Sequence, residues 1–301
     1  MRVLGAHMST SGGLWQALDR GARDGCNAIQ IFTRNNNRWK AKPLDDDEID
    51  RFSTRCRETG IEPVLAHGSY LINLATPDAD LMKRSIGAFG EELERCARLG
   101  IPALVAHPGA HMGSGEGVGC GRVASALDAI LESGAGAGVR VLLETTAGQG
   151  TSVGHRFEHL RDIIGAMRHG ARVGICVDTC HVFAAGYDIR TRRGYDAVME
   201  ECGEVLGLDS IGAFHLNDSL KDIGCRVDRH QHIGRGFIGL EPFRGLMNDP
   251  RFDGVPMILE TPKGMDGAED RANLALLRGL GRSRRHAAGR LPARRGAAEP
   301  R

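Results

Sequence analysis

A chain of 301 residues with 41% apolar and 26% charged residues has the composition of a globular enzyme, in one large domain or two modest ones. Its formal net charge of +1 provides no global field for or against a nucleic-acid partner. No run approaches the ~18 apolar residues of a membrane span, and MRVLGAHMST lacks the apolar core of a signal peptide, so the expectation is a cytosolic protein with no membrane partner.

Apolar runs recur along the chain at 3–7, 28–32, 63–67, 103–107, 139–144, 173–178, 211–215 and 256–260. Most lack polar alternation, which predicts strands buried on both faces, as in a parallel sheet covered by helices. Helices are predicted between them at 14–24, 45–59, 79–99, 122–133, 157–169, 195–206, 240–248 and 270–280, with Gly60, Gly100 and Gly170 at C-cap positions. Eight such units predict an α/β fold, a (β/α)8 TIM barrel spanning 1–281. A doubly wound sheet would want a Gly-rich phosphate loop after its first strand, and HMSTSGG is not one. The Gly-rich segment 113–121 also fails that spacing and reads as a flexible loop.

Residues 282–301 hold seven Arg and one Glu, leaving 32 basic and 37 acidic residues in the rest, a net of −5. This Arg-rich tail has almost no large apolar side chains and is expected to be disordered, either simply solvated or adding nonspecific phosphate contacts.

Barrel active sites lie at the C-terminal ends of the strands, and six successive predicted strands end in His67, His107, Glu144, Asp178, His215 and Glu260. His181 follows one turn later, and Asp228 and His230 point the same way if their segment is extended. A lone His or Glu at a strand end is ordinarily a hydrogen-bonded structural residue. Nine imidazoles and carboxylates packed together would repel or desolvate one another without cations. The predicted architecture is therefore a metal cluster at the C-terminal ends of the strands. The mixed N/O set suits zinc or manganese better than calcium, and nine ligands would serve two or three ions with one carboxylate bridging. Cys176 and Cys180 frame Asp178, but among the eight cysteines no CxxC pair occurs, and free buried thiols are expected. His7 reads as structural or as supporting a ligand, His232 competes with His230, and His111, His155, His159, His169 and His286 read as residues of loops, helix surfaces or the tail.

The stretches HGSYLINLA, HPG, LLETTAGQG, GICVDTCHVFAAGYDI, FHLNDS, DRHQHIG and ILETP closely resemble endonuclease IV, the zinc-dependent apurinic/apyrimidinic endonucleases of base-excision repair, in order and spacing to about residue 280. The resemblance implies three zinc ions, with manganese as a partial substitute. His67 and His107 would hold one, Asp178, His215 and Glu260 a second, with Glu144 bridging these two, and His181, Asp228 and His230 the third. It also favours His230 over His232.

The implied reaction is cleavage of damaged double-stranded DNA 5′ to an abasic site by a metal-bound hydroxide, leaving a 3′-hydroxyl and a 5′-deoxyribose phosphate, with 3′-end trimming besides. Glu144 would orient the nucleophile. Tyr70 and Leu71 are candidates to wedge into the duplex, or else pack on their own loop. Family members often carry a long polar or basic wedge at the position of Asn37; Asn is shorter, and Arg38 is the substitute. A monomer is expected. The competing readings are a metal-dependent sugar isomerase or epimerase, using Glu144, Asp178, His215 and Glu260 alone, and a catalytically silent DNA-binding barrel lacking some ligands.

Overall fold

A computed structural model describes residues 2–264 and 266–281. The predicted tail, 282–301, lies outside the described residues. Eight parallel strands close into a barrel: β1 (Leu4–His7), β2 (Ala28–Ile31), β3 (Val64–His67), β4 (Ala103–Ala106), β5 (Arg140–Glu144), β6 (Val173–Asp178), β7 (Ile211–Leu216) and β10 (Met257–Leu259), with β1 pairing both β2 and β10. Two short antiparallel strands, β8 (Asp218–Ser219) and β9 (His230–Gln231), fold the segment after β7 back on itself.

Inside the barrel, Ala28, Leu65, Val105, Leu142, Cys176, Ala213 and Ile258 form a dry plug. Each lies two residues before a polar residue of its strand end, so Gln30, His67, His107, Glu144, Asp178, His215 and Glu260 continue the same inward rows towards the C-terminal mouth. The strands' other faces are covered by helices α1 (Gln16–Asp24), α2 (Asp46–Thr59), α3 (Ala79–Leu99), α4 (Glu116–Glu132), α5 (Phe157–Ala166), α7 (Arg192–Leu206), α8 (Glu241–Asn248) and α9 (Ala268–Leu280). Local chemistry sets their ends. Asp45, Asp78 and Thr191 accept N–H bonds as N-caps, while Gly60 and Gly100 close helices in the left-handed region at φ 65° and 70°.

Three expectations need correction. The segment 113–121 is not wholly loop, because α4 begins at Glu116. Its glycines disfavour helix in isolation, but at Gly119 a Cβ would lie 2.8 Å from the Cβ of His111, so tertiary packing demands glycine there. The helix expected over 157–169 stops at Ala166, with Gly170 opening a 3-10 turn instead of capping it. Asp128 on α4 accepts the N–H groups of Arg168 and His169 and draws the backbone out of the helix. Finally, a seven-residue helix not foreseen, α6 (Thr179–Ala185), follows β6 directly, its N-cap being Asp178, whose Oδ1 accepts the His181 N–H at 2.9 Å.

Candidate metal centre

The barrel gathers all nine predicted ligands at its C-terminal mouth. His67, Glu144 and Asp178 end their strands, His215 stands one residue short of the end of β7, and His107 and Glu260 stand one residue beyond β4 and β10. The remaining ligands come from α6, which bears His181, and from the segment after β7, where His230 opens β9 and Asp228, two residues before it, sets its Oδ1 3.2 Å from His230 Nε2.

Glu144 is the centre of this arrangement, fully buried. Its Oε2 lies 3.0 Å from His67 Nε2 and 3.2 Å from His107 Nε2, while its Oε1 lies 2.9 Å from His215 Nδ1. Around His215 Nδ1 stand Glu260 Oε2 at 3.3 Å and Asp178 Oδ2 at 3.8 Å. A third group forms where Asp228 places one oxygen 3.2 Å from His181 Nε2 and the other 3.2 Å from His230 Nε2, with Asp178 Oδ2 3.7 Å from the latter. Zinc bonds of about 2.0–2.1 Å put neighbouring tetrahedral ligands about 3.3 Å apart, which is the spacing these atoms keep.

Hydrogen bonding separates a metal site from a salt-bridge cluster. The buried Nε2 atoms of His181 and His230 have no hydrogen-bond partner, although Asp228 lies at ion-pair distance from both. Each ring is fixed from behind. The Nδ1–H of His67 donates to Gly68 O at 2.8 Å, that of His181 to Thr145 O at 2.8 Å, and that of His230 to Glu260 O at 3.1 Å. His215 is turned the other way, its Nε2–H donating to Gln30 Oε1 at 2.9 Å. With one ring nitrogen committed behind, each of the four imidazoles turns its other nitrogen to the cluster, those of His67 and His215 onto Glu144 at 3.0 and 2.9 Å, the orientation a divalent cation requires once it displaces any proton there.

The carboxylates are held likewise. Asn217 donates to Asp178 Oδ2 at 2.7 Å, Thr145 Oγ1 accepts the Asp178 N–H at 2.9 Å, and Gln30 Nε2 donates to Glu260 Oε1 at 2.6 Å. His7 adds its Nδ1 at 3.3 Å from Glu260, the supporting role the sequence suggested. Gln30, Asn217 and Thr145 were not singled out in the sequence. Gln30 left a signal there, as the lone amide in an apolar strand.

Electrostatics reflect the crowding. Burial alone would push Glu144 and Glu260 up, yet the surrounding imidazoles, His215 foremost, hold both well below the usual carboxylate range. Conversely, burial opposes a proton on His181 and His215. Asp178 and Asp228 nevertheless raise His181 well above 6.5, and Cys176, Glu260 and Glu144 do the same for His215.

A second group of donors fails this test. His155 and His159 are buried, contrary to the expectation of surface positions, because both fold under Glu116 at the start of α4. The Arg156 guanidinium stands where a cation would: it donates to Glu116 at 3.1 Å and its Nε–H donates to His159 Nε2 at 3.1 Å, while burial holds the His159 pKa below its ordinary value. Arg156 and Glu116 make a structural ion pair. His232 also stays apart, its Nδ1 facing Asn273.

Over the cluster opens a cavity of about 450 Å³, lined by His67, Tyr70, His107, Gln149, Arg229 and Glu260 among others. Tyr70 is 59% exposed at its rim, its ring 5.5 Å from that of His67, and Leu71 is half-buried. Asn37 and Arg38 are exposed on the loop after β2.

The model of the xylose isomerase-like TIM barrel family matches residues 18–280. A probable endonuclease 4 from Chloroflexus aurantiacus is 56% identical over 280 residues, covering 93% of this chain and 98% of that protein. The chain belongs to the endonuclease IV family. Among solved structures, endonuclease IV from Thermus thermophilus superposes with a TM-score of 0.81 at 33% identity, covering 92% of this chain and 98% of that one. Membership makes the chain a hydrolase of the nuclease type. A 3-keto-D-glucoside 4-epimerase from E. coli, at 15% identity and TM-score 0.67 over 93% of this chain and 100% of that one, shares the fold alone.

Proposed function

We propose that the chain is a DNA-repair endonuclease that hydrolyses the phosphodiester 5′ to an abasic site in duplex DNA, leaving a 3′-hydroxyl and a 5′-deoxyribose phosphate, and that it also trims blocked 3′ ends. The observation that carries this reading is the set of imidazoles oriented from behind and turned onto Glu144 and Asp228, His67 and His181 on the first and His181 and His230 on the second. An isomerase needs only Glu144, Asp178, His215 and Glu260, and leaves the remaining five donors without purpose.

In this reading His67 and His107 would hold one zinc ion, Asp178, His215 and Glu260 another, with Glu144 serving both, and His181, Asp228 and His230 would hold the third. Manganese substitutes in part. The chemistry such ions would supply is neutralisation of phosphate charge and a lowered pKa of water, hence a nucleophile at neutral pH. Glu144 presents one oxygen to each half of the cluster, and with both held by imidazoles it orients the attacking water instead of taking up a proton. Tyr70 and Leu71 enter the duplex beside the flipped-out abasic nucleotide, which fits a cavity within the ordinary size range of small-ligand sites. Exposed Arg38, next to the shorter Asn37, meets the backbone. The protein acts as a monomer of one catalytic domain, 1–281, in the cytoplasm, associated with the nucleoid when bound to DNA. Among the described residues, no helix is long and apolar enough to cross a membrane.

Metal-replete protein incubated with a duplex carrying one tetrahydrofuran abasic site should cut that strand immediately 5′ to the site, and protein-bound zinc should approach three ions per chain. Absence of incision would sink the proposal.

A further inference from the structure

Beside the mouth of the barrel, Glu92 of α3 forms a buried ion pair with Arg34 that the chemistry does not use. Arg34 and Glu92 have side chains 2% and 1% exposed, and Arg34 Nε donates to Glu92 Oε1 at 2.8 Å. Each partner belongs to a different loop system. Arg34 lies at the root of the loop after β2 and also donates to Trp39 O at 3.1 Å across that loop. Glu92 accepts the Ser69 N–H on both oxygens at 3.2 Å, at the root of the loop that carries Tyr70 and Leu71. Ser69 Oγ then donates to Asn36 O at 2.7 Å, joining the two loops directly, and the Leu71 N–H returns to Ser69 Oγ at 3.3 Å.

We propose that Glu92 and Arg34 are positioning residues, which lock the loop bearing Asn37 and Arg38 to the loop bearing Tyr70 and Leu71 so that both meet the duplex as one surface. The proposal rests on the reading of these loops as DNA-facing. Energetics favour it over a purely stabilising role. Burial pushes the Glu92 carboxyl up, to about 7, against the pull of Arg34, so the pair is costly to desolvate. Buried ion pairs are weak contributors to stability, and an apolar pair of similar volume serves as well. What an apolar pair cannot do is direct an oxygen at the Ser69 N–H and a guanidinium at Trp39 O.

The test compares the wild type with Glu92→Gln and with the double replacement Arg34→Met with Glu92→Leu, all metal-loaded. On a tetrahydrofuran duplex, both variants should raise KM by about tenfold or more while kcat and bound metal stay within about twofold of wild type, since misplacement costs engagement and leaves the cluster intact. Amide hydrogen exchange of the free proteins should show protection lost together at 35–40 and at 68–73. Should Glu92→Gln fold poorly because buried Arg34 keeps only the partly exposed Glu91, 3.3 Å from its Nη1, as a counter-charge, the double replacement decides, because it removes both charges of the Arg34–Glu92 pair. A wild-type KM in the double replacement, an equal loss of kcat, or exchange rising in one loop alone would overturn the coupling. Failure of the wild type to incise would refute the nuclease reading instead, and the exchange comparison would still judge the lock.

Discussion

Gln30 stands behind His215, its Oε1 accepting the His215 Nε2–H at 2.9 Å. This one amide decides which nitrogen of His215 faces Glu144. Its own Nε2 meanwhile donates to Glu260 at 2.6 Å, so two of the proposed ligands are oriented from β2, a strand that offers no ligand itself. Gln30→Leu keeps the volume and removes both bonds, together with the contact of Gln30 Nε2 to His7 Nδ1 at 3.0 Å. Zinc affinity should fall about 10–100-fold, the usual cost of losing such a support, while the fold persists. Competition with a chromogenic chelator would measure it, and unchanged affinity would show that His215 needs no orienting partner.

Glu144→Gln tests the centre of the cluster. An amide keeps the shape but loses the charge facing both halves. Incision should drop by about 10²–10³-fold or more in kcat, with the circular dichroism spectrum unchanged. Near-normal turnover would refute the bridging role.

Metal removal has a signature in pH. In chelator-stripped protein, the imidazoles of His181 and His215, raised well above 6.5 by their carboxylate surroundings, carry the compensating charge. A group whose folded pKa is raised contributes stability that is fully present below its unfolded value and is lost as pH rises through the folded value. The melting temperature of stripped protein should therefore fall as pH climbs above 6.5, while that of zinc-loaded protein stays nearly flat. Zinc added to stripped protein at neutral pH should release about two protons, detectable as buffer-dependent heats in calorimetry. A stripped protein that gains stability over the same range would contradict this charge assignment.

Tyr70→Ala probes the rim. The side chain is 59% exposed, so stability should change by no more than about 0.5 kcal/mol. Loss of a stacking surface should nonetheless weaken duplex binding by about 1–3 kcal/mol, seen as a raised KM with metal content intact. A KM equal to wild type would return Tyr70 to a packing role.

The barrel and the proposed ligands were legible in the sequence for a common reason: a strand buried on both faces that ends in His, Glu or Asp is chemically conspicuous, and six did so in succession. What escaped notice depends on contacts distant in sequence. Asn217 looks like an ordinary polar residue, and Gln30, though a lone amide in an apolar strand, has no visible purpose until the closed barrel sets them against Asp178 and His215. The start of α4 was hidden because glycine is a poor helix former, and only the approach of His111 shows why Gly119 belongs there. His159 carried the opposite lesson. It looks like a surface residue of α5, and its burial becomes visible only once Glu116 arrives from α4.

Asp178 carries one further implication. One of its oxygens caps α6 while the other faces His215 and His230, so the residue that ends β6 also starts the helix bearing His181. Replacing it with alanine would unwind a turn and empty a coordination position in the same stroke, and no assay could apportion the damage. Asparagine keeps the cap and discards only the charge. At this position the choice of substitution determines whether an experiment reads folding or chemistry.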